Sequence, residues 1–368
     1  MSDGIFYYSD EFLSYDMGPQ HPMKPARLKR TYDLLMSYGV PVRVEKPRPC
    51  PVSDLQAVHS TDFIWAVDRL SSGDHVPFPE RYGFGTGDNP IFPEMWDAAL
   101  TYCGASADAA QAIVDGRCDV SMNISGGLHH AHYDRAAGFC LFNDCVVAIN
   151  RLRARFDRVA YVDIDVHHGD GVQEAFYDDP SVLTLSIHES GFFLFPGTGF
   201  VHELGARAGA GRSVNLPMWP YTNDEQWLWA WREAGLPLLK AFDPQAIVLE
   251  MGTDAHYLDP LARLCLTAQG WLEAVKDVKA LGVPIVGLGG GGYNWMTVPR
   301  MWVAATNVLF DLNLPSDTPE SWADHAAVPS LFDLEDPPIA PHDVDRAQAA
   351  VEEVVAEVRL RLFPYFGL

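Results

Sequence analysis

The sequence predicts an α/β fold, a single domain with a central parallel sheet and helices on both faces. Three observations carry this. Short apolar, β-rich runs recur at 119–124 (DVSMNI), 158–164 (RVAYVDI), 182–187 (VLTLSI), 213–218 (SVNLPM), 245–251 (QAIVLEM) and 283–288 (VPIVGL). Helical patterns occupy 96–115, 139–155, 171–177, 223–241, 267–280 and 297–311. No internal repeat or low-complexity linker breaks the alternation. Strands apolar along their whole length are buried on both faces, and helical crossovers between them make neighbours parallel. The chain, 1–368, is therefore read as one domain, a size that α/β folds reach. The stretch 312–342 is rich in Pro, Asp and Ser and reads as irregular surface chain. A last helix, roughly 343–361, is expected to dock on the body. The long loops at 72–95 and 188–212 are expected to be functional.

Composition excludes several functions. A formal net charge of −23 argues against a broad nucleic-acid surface, which needs clustered Lys and Arg. It favours cationic substrates only weakly, through long-range attraction. No apolar run approaches the length that spans a bilayer. The opening MSDGIFYYSDEF has neither a basic region nor a long apolar stretch, so no secretory signal is expected and the protein is read as cytoplasmic. Cys50, Cys103, Cys118, Cys140, Cys145 and Cys265 form no C-x-x-C pair, which argues for reduced thiols and against a thiolate zinc site.

Ligands in open α/β sheets bind beyond the carboxyl ends of the strands. After 119–124 comes SGGLHHAHYDRAAGFC, and after 158–164 come Asp165, His167 and Asp170. After 245–251 comes GTDAHYLDP, and after 283–288 comes GGGGYN. Four strand ends thus deliver histidines, carboxylates and a tyrosine to one rim. Buried charges of this kind require partners.

Asp165 and His167, two apart on an extended segment, project to the same side. With Asp254 they make two carboxylates and an imidazole, the donor set of a catalytic zinc that keeps one open position. Iron and manganese remain alternatives, and a lone D-x-H reads better as a helix cap or as two residues paired with each other. The pair His129–His130 suits proton handling if each ring has an orienting carboxylate, and Asp163 and Asp170 are available. In isolation, an HH pair is more often a hydrogen-bonded core pair. His132 and His168 lie in the same stretches, so histidine identity alone assigns no roles. The run Gly289–Gly292 lacks the Lys-Ser/Thr of a P-loop; it is read as backbone that approaches a ligand closely and holds Tyr293 at the rim, where a phenol can donate to an oxyanion.

These motifs together resemble the zinc-dependent histone deacetylase family, in its class I-like and bacterial acetoin-utilisation branch, with the arginase–deacetylase fold. The resemblance runs from HPMKPARLKR (21–30) through SGGLHHAHYDRAAGFC (125–140), VDIDVHHGDGVQEAFY (162–177), LSIHESGFFLFPGTG (185–199) and GTD (252–254) to GLGGGGY (287–293). It implies a hydrolase that removes acetyl or longer acyl groups from lysine side chains of proteins or peptides. Asp165, His167 and Asp254 match the zinc ligands. His130 matches the general base and His129 its partner, with Asp170 and Asp163 as their respective carboxylates and Tyr293 as the oxyanion donor. Phe139 and Phe195 match the tunnel walls, Gly138 a backbone contact to substrate, Leu261 the tunnel mouth and Asp88 the rim carboxylate that grips the substrate backbone. Arg27 matches an arginine of the internal cavity. The resemblance also implies potassium at Asp163, Asp165, His167, Ser186 and Ile187, and a second potassium at Phe176, Asp179 and Val182, with a poor match near Trp227.

Leu194 departs from the family's usual aromatic before Phe195, and Leu141 and Phe142 depart from its pattern after Gly-Phe-Cys. Both changes are expected to bear on tunnel width. An acetylpolyamine amidohydrolase is the alternative on this scaffold, but such relatives carry an acid where this chain has Leu261. A non-catalytic family member is less compatible with an intact Tyr293 and histidine pair. An arginase-like two-manganese site would need more bridging carboxylates than one D-x-H and one later Asp supply.

Overall fold

A computed structural model describes residues 4–368. The chain runs β1 (Ile5–Tyr7), α1 (Ala26–Ser37), β2 (Arg43–Glu45), α2 (Val52–Gln56), α3 (Thr61–Ser71), α4 (Met95–Val114), β3 (Val120–Asn123), α5 (Asp144–Leu152), β4 (Val159–Asp163), α6 (Asp170–Phe176) and β5 (Val182–Glu189). It continues through β6 (Ser213–Met218), α7 (Asp224–Ala230), α8 (Leu236–Phe242), β7 (Ala246–Glu250), α9 (Ala268–Lys279), β8 (Ile285–Leu288), α10 (Thr297–Phe310) and α11 (Pro341–Phe366). Eight strands form one sheet in the order β2-β1-β3-β8-β7-β4-β5-β6, and every neighbouring pair is parallel.

The six expected strands are present, and their side chains are almost all buried, as uninterrupted apolar runs require. The helices form two separate packed layers. In one, α4 packs on α5, and the pair covers β3, β8 and β7; in the other, α1, α10, α9, α7 and α11 pack in succession.

Local chemistry explains where the elements differ from expectation. The helix expected over 139–155 begins only at Asp144, because the Asn143 side chain accepts from Val146 N and caps it there. The segment 223–241 opens with a capping box between Asn223 and Gln226, then passes through a π turn at Trp231–Gly235 before α8. The stretch 312–342 is irregular but not merely surface chain. Leu331 and Trp322 are buried, and the buried Asp333 carboxylate accepts from Ala268 N at 2.7 Å and from Arg300 at 2.5 Å, and pairs with His256 at 3.0 Å. Among the described residues no helix is long and apolar enough to cross a membrane, and the cysteines are free thiols.

Two buried tryptophans fix the exit of β7. Trp302 Nε1 donates to Met251 O at 2.8 Å, and Trp271 Nε1 donates to Gly252 O at 2.9 Å. Both indoles are fully buried, so each satisfies a carbonyl that water cannot reach. Trp302→Phe keeps the apolar ring but orphans the Met251 carbonyl. It is expected to cost about 1–3 kcal/mol, read as a lower urea midpoint at unchanged slope; an unchanged midpoint would show that the indole donor contributes nothing.

Candidate active site

The strands β3, β8, β7 and β4 are adjacent at the centre of the sheet, and their carboxyl ends carry the histidine pair, the glycine run, Gly-Thr-Asp and Asp-x-Asp-x-His respectively. The four motifs therefore converge on one place because the topology makes their strands neighbours.

The loop after β3 is held from below by Asp144, the first residue of α5. Its buried carboxylate accepts from Gly127 N at 3.0 Å, Leu128 N at 2.8 Å and Ser106 Oγ at 2.6 Å. Asn143 Nδ2 donates to His129 O at 3.1 Å and to Ala131 O at 3.0 Å. On this platform His129 and His130 face one another, Nε2 to Nε2, at 3.1 Å. His129 Nδ1 lies 3.0 Å from Asp163 and His130 Nδ1 lies 2.7 Å from Asp170. Burial works against a charge on either ring. Asp163 outweighs it at His129, whose pKa rises to about 9, whereas burial and the neighbouring His129 push His130 down to about 4. The two rings are thus driven in opposite directions, His129 toward the charged form and His130 toward the neutral one.

Asp165, His167 and Asp254 converge beside this pair. Their donor atoms all lie within 4.8 Å of one another, and all three residues are buried. His167 Nδ1 is 3.1 Å from a carboxylate oxygen of each aspartate. Backbone amides hold the carboxylates in turn: Val166 N donates to Asp254 at 3.0 Å and Gly291 N to Asp165 at 2.7 Å. The glycines leave room for this. A Cβ on Gly291 would stand 2.1 Å from Asp254 Oδ2, and one on Gly252 would stand 2.0 Å from Asp165 Oδ2. The close approach expected of the glycine run is thus to carboxylates. Burial, followed by repulsion from Asp165, raises the pKa of Asp254. A cation between these oxygens would relieve that repulsion, so the donor set fits a divalent metal.

Asp163 closes β4 between Glu250 of β7 and Ser186 of β5, its register partners. It accepts from Tyr161 OH at 2.8 Å and Asp165 N at 3.1 Å. Ile187 is buried in the interior of β5. Glu250 was not anticipated. It is fully buried and accepts from Gly252 N at 3.0 Å, and burial followed by Asp165 and Asp163 drives its pKa well up. Its signal was an acid ending an otherwise apolar strand. Asp259 was also missed as a support. It accepts from Tyr293 N at 2.8 Å and Leu261 N at 3.0 Å, and burial raises its pKa to about 7.

Tyr293 packs against Phe139, ring centroids 5.8 Å apart and nearly perpendicular. Burial, with Asp254 and Asp165 nearby, keeps its phenol protonated. Phe195, 44% exposed, stands edge-on to His130 at 4.9 Å. Gly138 has φ +50°, and a Cβ there would meet His130 Cδ2 at 2.4 Å, so this turn between Phe139 and the imidazole requires glycine. Arg27 is buried under the rim, where Nη1 donates to Gly292 O at 3.0 Å and the guanidinium lies over Trp302. Two expected site residues reach the cluster only indirectly. Leu261 is tied through Asp259, and Asp88 through its carbonyl, 3.2 Å from His21 Nε2, whose ring abuts Phe139. Leu141 and Phe142 are fully buried in a core shared with Phe63 and Phe84, so their departures serve core packing. Leu194 is part-buried against the main core.

Asp144→Asn preserves shape but leaves one acceptor oxygen for three donors. The expected cost is about 1–3 kcal/mol, together with faster hydrogen exchange at the Leu128 amide; wild-type protection there would show that Asp144 does not hold the loop.

Residues 21–309 match the family described as the histone deacetylase domain. The chain is 38% identical over 333 residues to the acetoin utilization protein AcuC of Bacillus subtilis, covering 88% of this chain and 86% of that protein. It is also 38% identical to histone deacetylase 9 of Arabidopsis thaliana over 86% of this chain and 75% of the relative, and 38% identical to histone deacetylase B of Dictyostelium discoideum over 85% and 75%. With its central parallel sheet and the motifs at four adjacent strand ends, the chain belongs to the histone deacetylase family of hydrolases.

Proposed function

We propose that this chain is a zinc-dependent deacylase that hydrolyses the amide of acetylated lysine side chains in proteins or peptides. One observation carries the reading: two imidazole–carboxylate pairs, His129–Asp163 and His130–Asp170, lie beside the converging donors of Asp165, His167 and Asp254. Asp165, His167 and Asp254 would hold the metal, whose chemistry when bound is to acidify water and polarise a carbonyl. Asp163, Asp165, His167, Ser186 and Ile187 would hold a potassium ion, and the pairing of Asp163 with Ser186 in adjacent strands supports this.

The residues divide the work as follows. Asp170 takes the Nδ1–H of His130, which leaves Nε2 as an acceptor. His130 accepts a proton from the water that attacks the amide carbon. Tyr293, kept neutral by burial, donates its O–H to the oxyanion that develops. As the C–N bond breaks, the imidazole pair returns a proton to the leaving nitrogen. Water adds across the amide, and the products are a carboxylate and the free lysine amine. Phe139 and Phe195 flank Gly138 and would enclose the methylene stem, with Leu261 at the mouth and Asp88 gripping the substrate backbone.

Peptide substrates are preferred over acetylated polyamines on a charge argument. A polyamine needs a carboxylate at the mouth for its distal ammonium, and Leu261 offers none. The neighbouring acids are committed elsewhere: Glu189 is buried and accepts from Arg263 N at 2.7 Å, and Asp259 holds Leu261 N and Tyr293 N.

Tyr293→Phe is expected to lower kcat on an acetyl-lysine peptide roughly a hundred- to thousandfold with little change in KM. Near-wild-type turnover in the metal-loaded variant would remove the oxyanion role. Asp254→Ala is expected to lose the metal, whereas His130→Ala keeps metal and fold but loses activity. Equal metal loss in both variants, measured by elemental analysis, would contradict the separation of ligand from base. Parallel assays on acetylated polyamines decide the substrate class.

A further inference from the structure

Asp170 has two carboxylate oxygens, and each faces a different histidine. Oδ1 accepts from Gly171 N at 3.0 Å and meets His130 Nδ1 at 2.7 Å. Oδ2 lies 3.3 Å from His132 Nε2. The opposite nitrogen of that ring, Nδ1, is hydrogen-bonded to Glu174, one turn further along α6. His132 is held from behind as well. Its N–H donates to Arg135 O at 2.9 Å, and its carbonyl meets His59 Nδ1 at 2.8 Å. The ring therefore sits on a fixed backbone between two carboxylates.

A neutral imidazole has one N–H and can donate to only one of these carboxylates; the imidazolium donates to both. Without a donor on Oδ2, both remaining bonds of the Asp170 carboxylate lie on Oδ1, and the group is free to pivot about them. We infer that His132 is a positioning residue, an imidazolium clamp between Asp170 and Glu174 that holds the Asp170 carboxylate square to His130 and releases it when the proton is lost. The inference rests on the catalytic reading of His130 given above.

The surroundings favour the charged clamp at neutral pH. Burial opposes the charge, but the bonds to Asp170 and Glu174 prevail and raise the His132 pKa to about 9. The other titratable and charged groups nearby are Arg135 and Asp134 on its own loop, which pair with each other, Arg153 and Asp179 across the adjoining cavity, which also pair, and two rings that burial keeps neutral, His130 beyond Asp170 and His59 behind the loop. His132 and Glu174 line that surface cavity of about 380 Å³, and the Glu174 side chain is 51% exposed. Bulk pH therefore reaches the clamp from the side away from the substrate. For a histidine whose folded pKa is raised, the clamp's stabilisation is complete below about pH 6.5 and disappears as the pH rises through about 9.

The test compares His132→Gln, His132→Lys and Glu174→Gln with wild type. In wild type, kcat on an acetyl-lysine peptide should fall on the alkaline side near 9, where His129 and His132 both lose a proton. His132→Gln should lower kcat at neutral pH roughly ten- to hundredfold at nearly constant KM, and should leave a shallower alkaline fall carried by His129 alone. His132→Lys, which keeps a cationic donor at neutral pH, should recover most of kcat. Glu174→Gln, at a half-exposed position that the fold tolerates, should move the His132 share of the fall downward. Equal losses in the Gln and Lys variants, or wild-type kcat in His132→Gln, would overturn the clamp. Histidine NMR on the substrate-free enzyme decides the same point independently. The His132 ring should titrate near 9 and shift down in Glu174→Gln, whereas titration at or below about 6.5 overturns the inference. If the wild-type enzyme turns over no acylated amine, the proposed function fails, and the NMR titration still judges the clamp.

Discussion

Burial of negative charge is the constraint that organises this molecule. Asp163, Asp165, Asp254 and Glu250 all end or follow central strands and are all buried. Few cations offset them in the protein itself: His129, with Arg27 beneath the rim. Isolated buried carboxylates are costly enough that a chain normally avoids them. Retaining four together makes sense when mobile cations complete the site. The same surplus of negative charge favours the charged form of His129, while burial and His129 favour the neutral form of His130, so one imbalance accounts for both the clustered donor set and the asymmetry of the histidine pair.

The rest of the fold supplies donors to those carboxylates and anchors for the chain around them. Backbone amides of Asp165, Val166, His167, Gly252 and Gly291 point at carboxylate oxygens. Such contacts are possible only at strand ends, where the ladder stops and amides become free. The backbone of the glycine run lies so close to the acids that no side chain fits at Gly291. The indoles of Trp271 and Trp302 secure the β7 exit from the opposite side. The site is thus built on rigid strand termini, which suits a reaction that depends on positions fixed to a fraction of an ångström.

Much of this was legible because buried parallel strands leave a strong signal. The six apolar runs located six strands of the sheet, and the motifs following four of them fall at its adjacent central strand ends. The strands β1 and β2, at one side of the sheet, escaped because three residues carry no period, and α1, α2 and α3 were hidden in an N-terminal stretch read through its motifs. The supports were harder to see than the reacting groups. Asp144 sits in a helix start, where an acid is ordinary, and only three-dimensional packing reveals that it holds the histidine loop. Glu250 was an acid in an apolar run, and its closeness to Asp163 follows from the β4–β7 register rather than from chain order. His132 stood in the sequence as one more histidine beside the pair. What distinguishes it is a partner on α6, Glu174, 42 positions away along the chain.

The supports are also shared, which ties together functions that would otherwise be independent. Asp259 holds Tyr293 through one oxygen and Leu261 through the other. Asp170 likewise divides its oxygens between His130 and His132. A carboxylate with both oxygens engaged cannot rotate toward one partner without releasing the other. In the proposed mechanism, substrate pressing on the Leu261 loop would be felt by the backbone that carries Tyr293, and solvent acting at His132 would be felt at His130. Specificity at the mouth, oxyanion stabilisation and base alignment are joined through two acids, which bind neither substrate nor metal in the proposed mechanism and yet fix the relative positions of the groups that do.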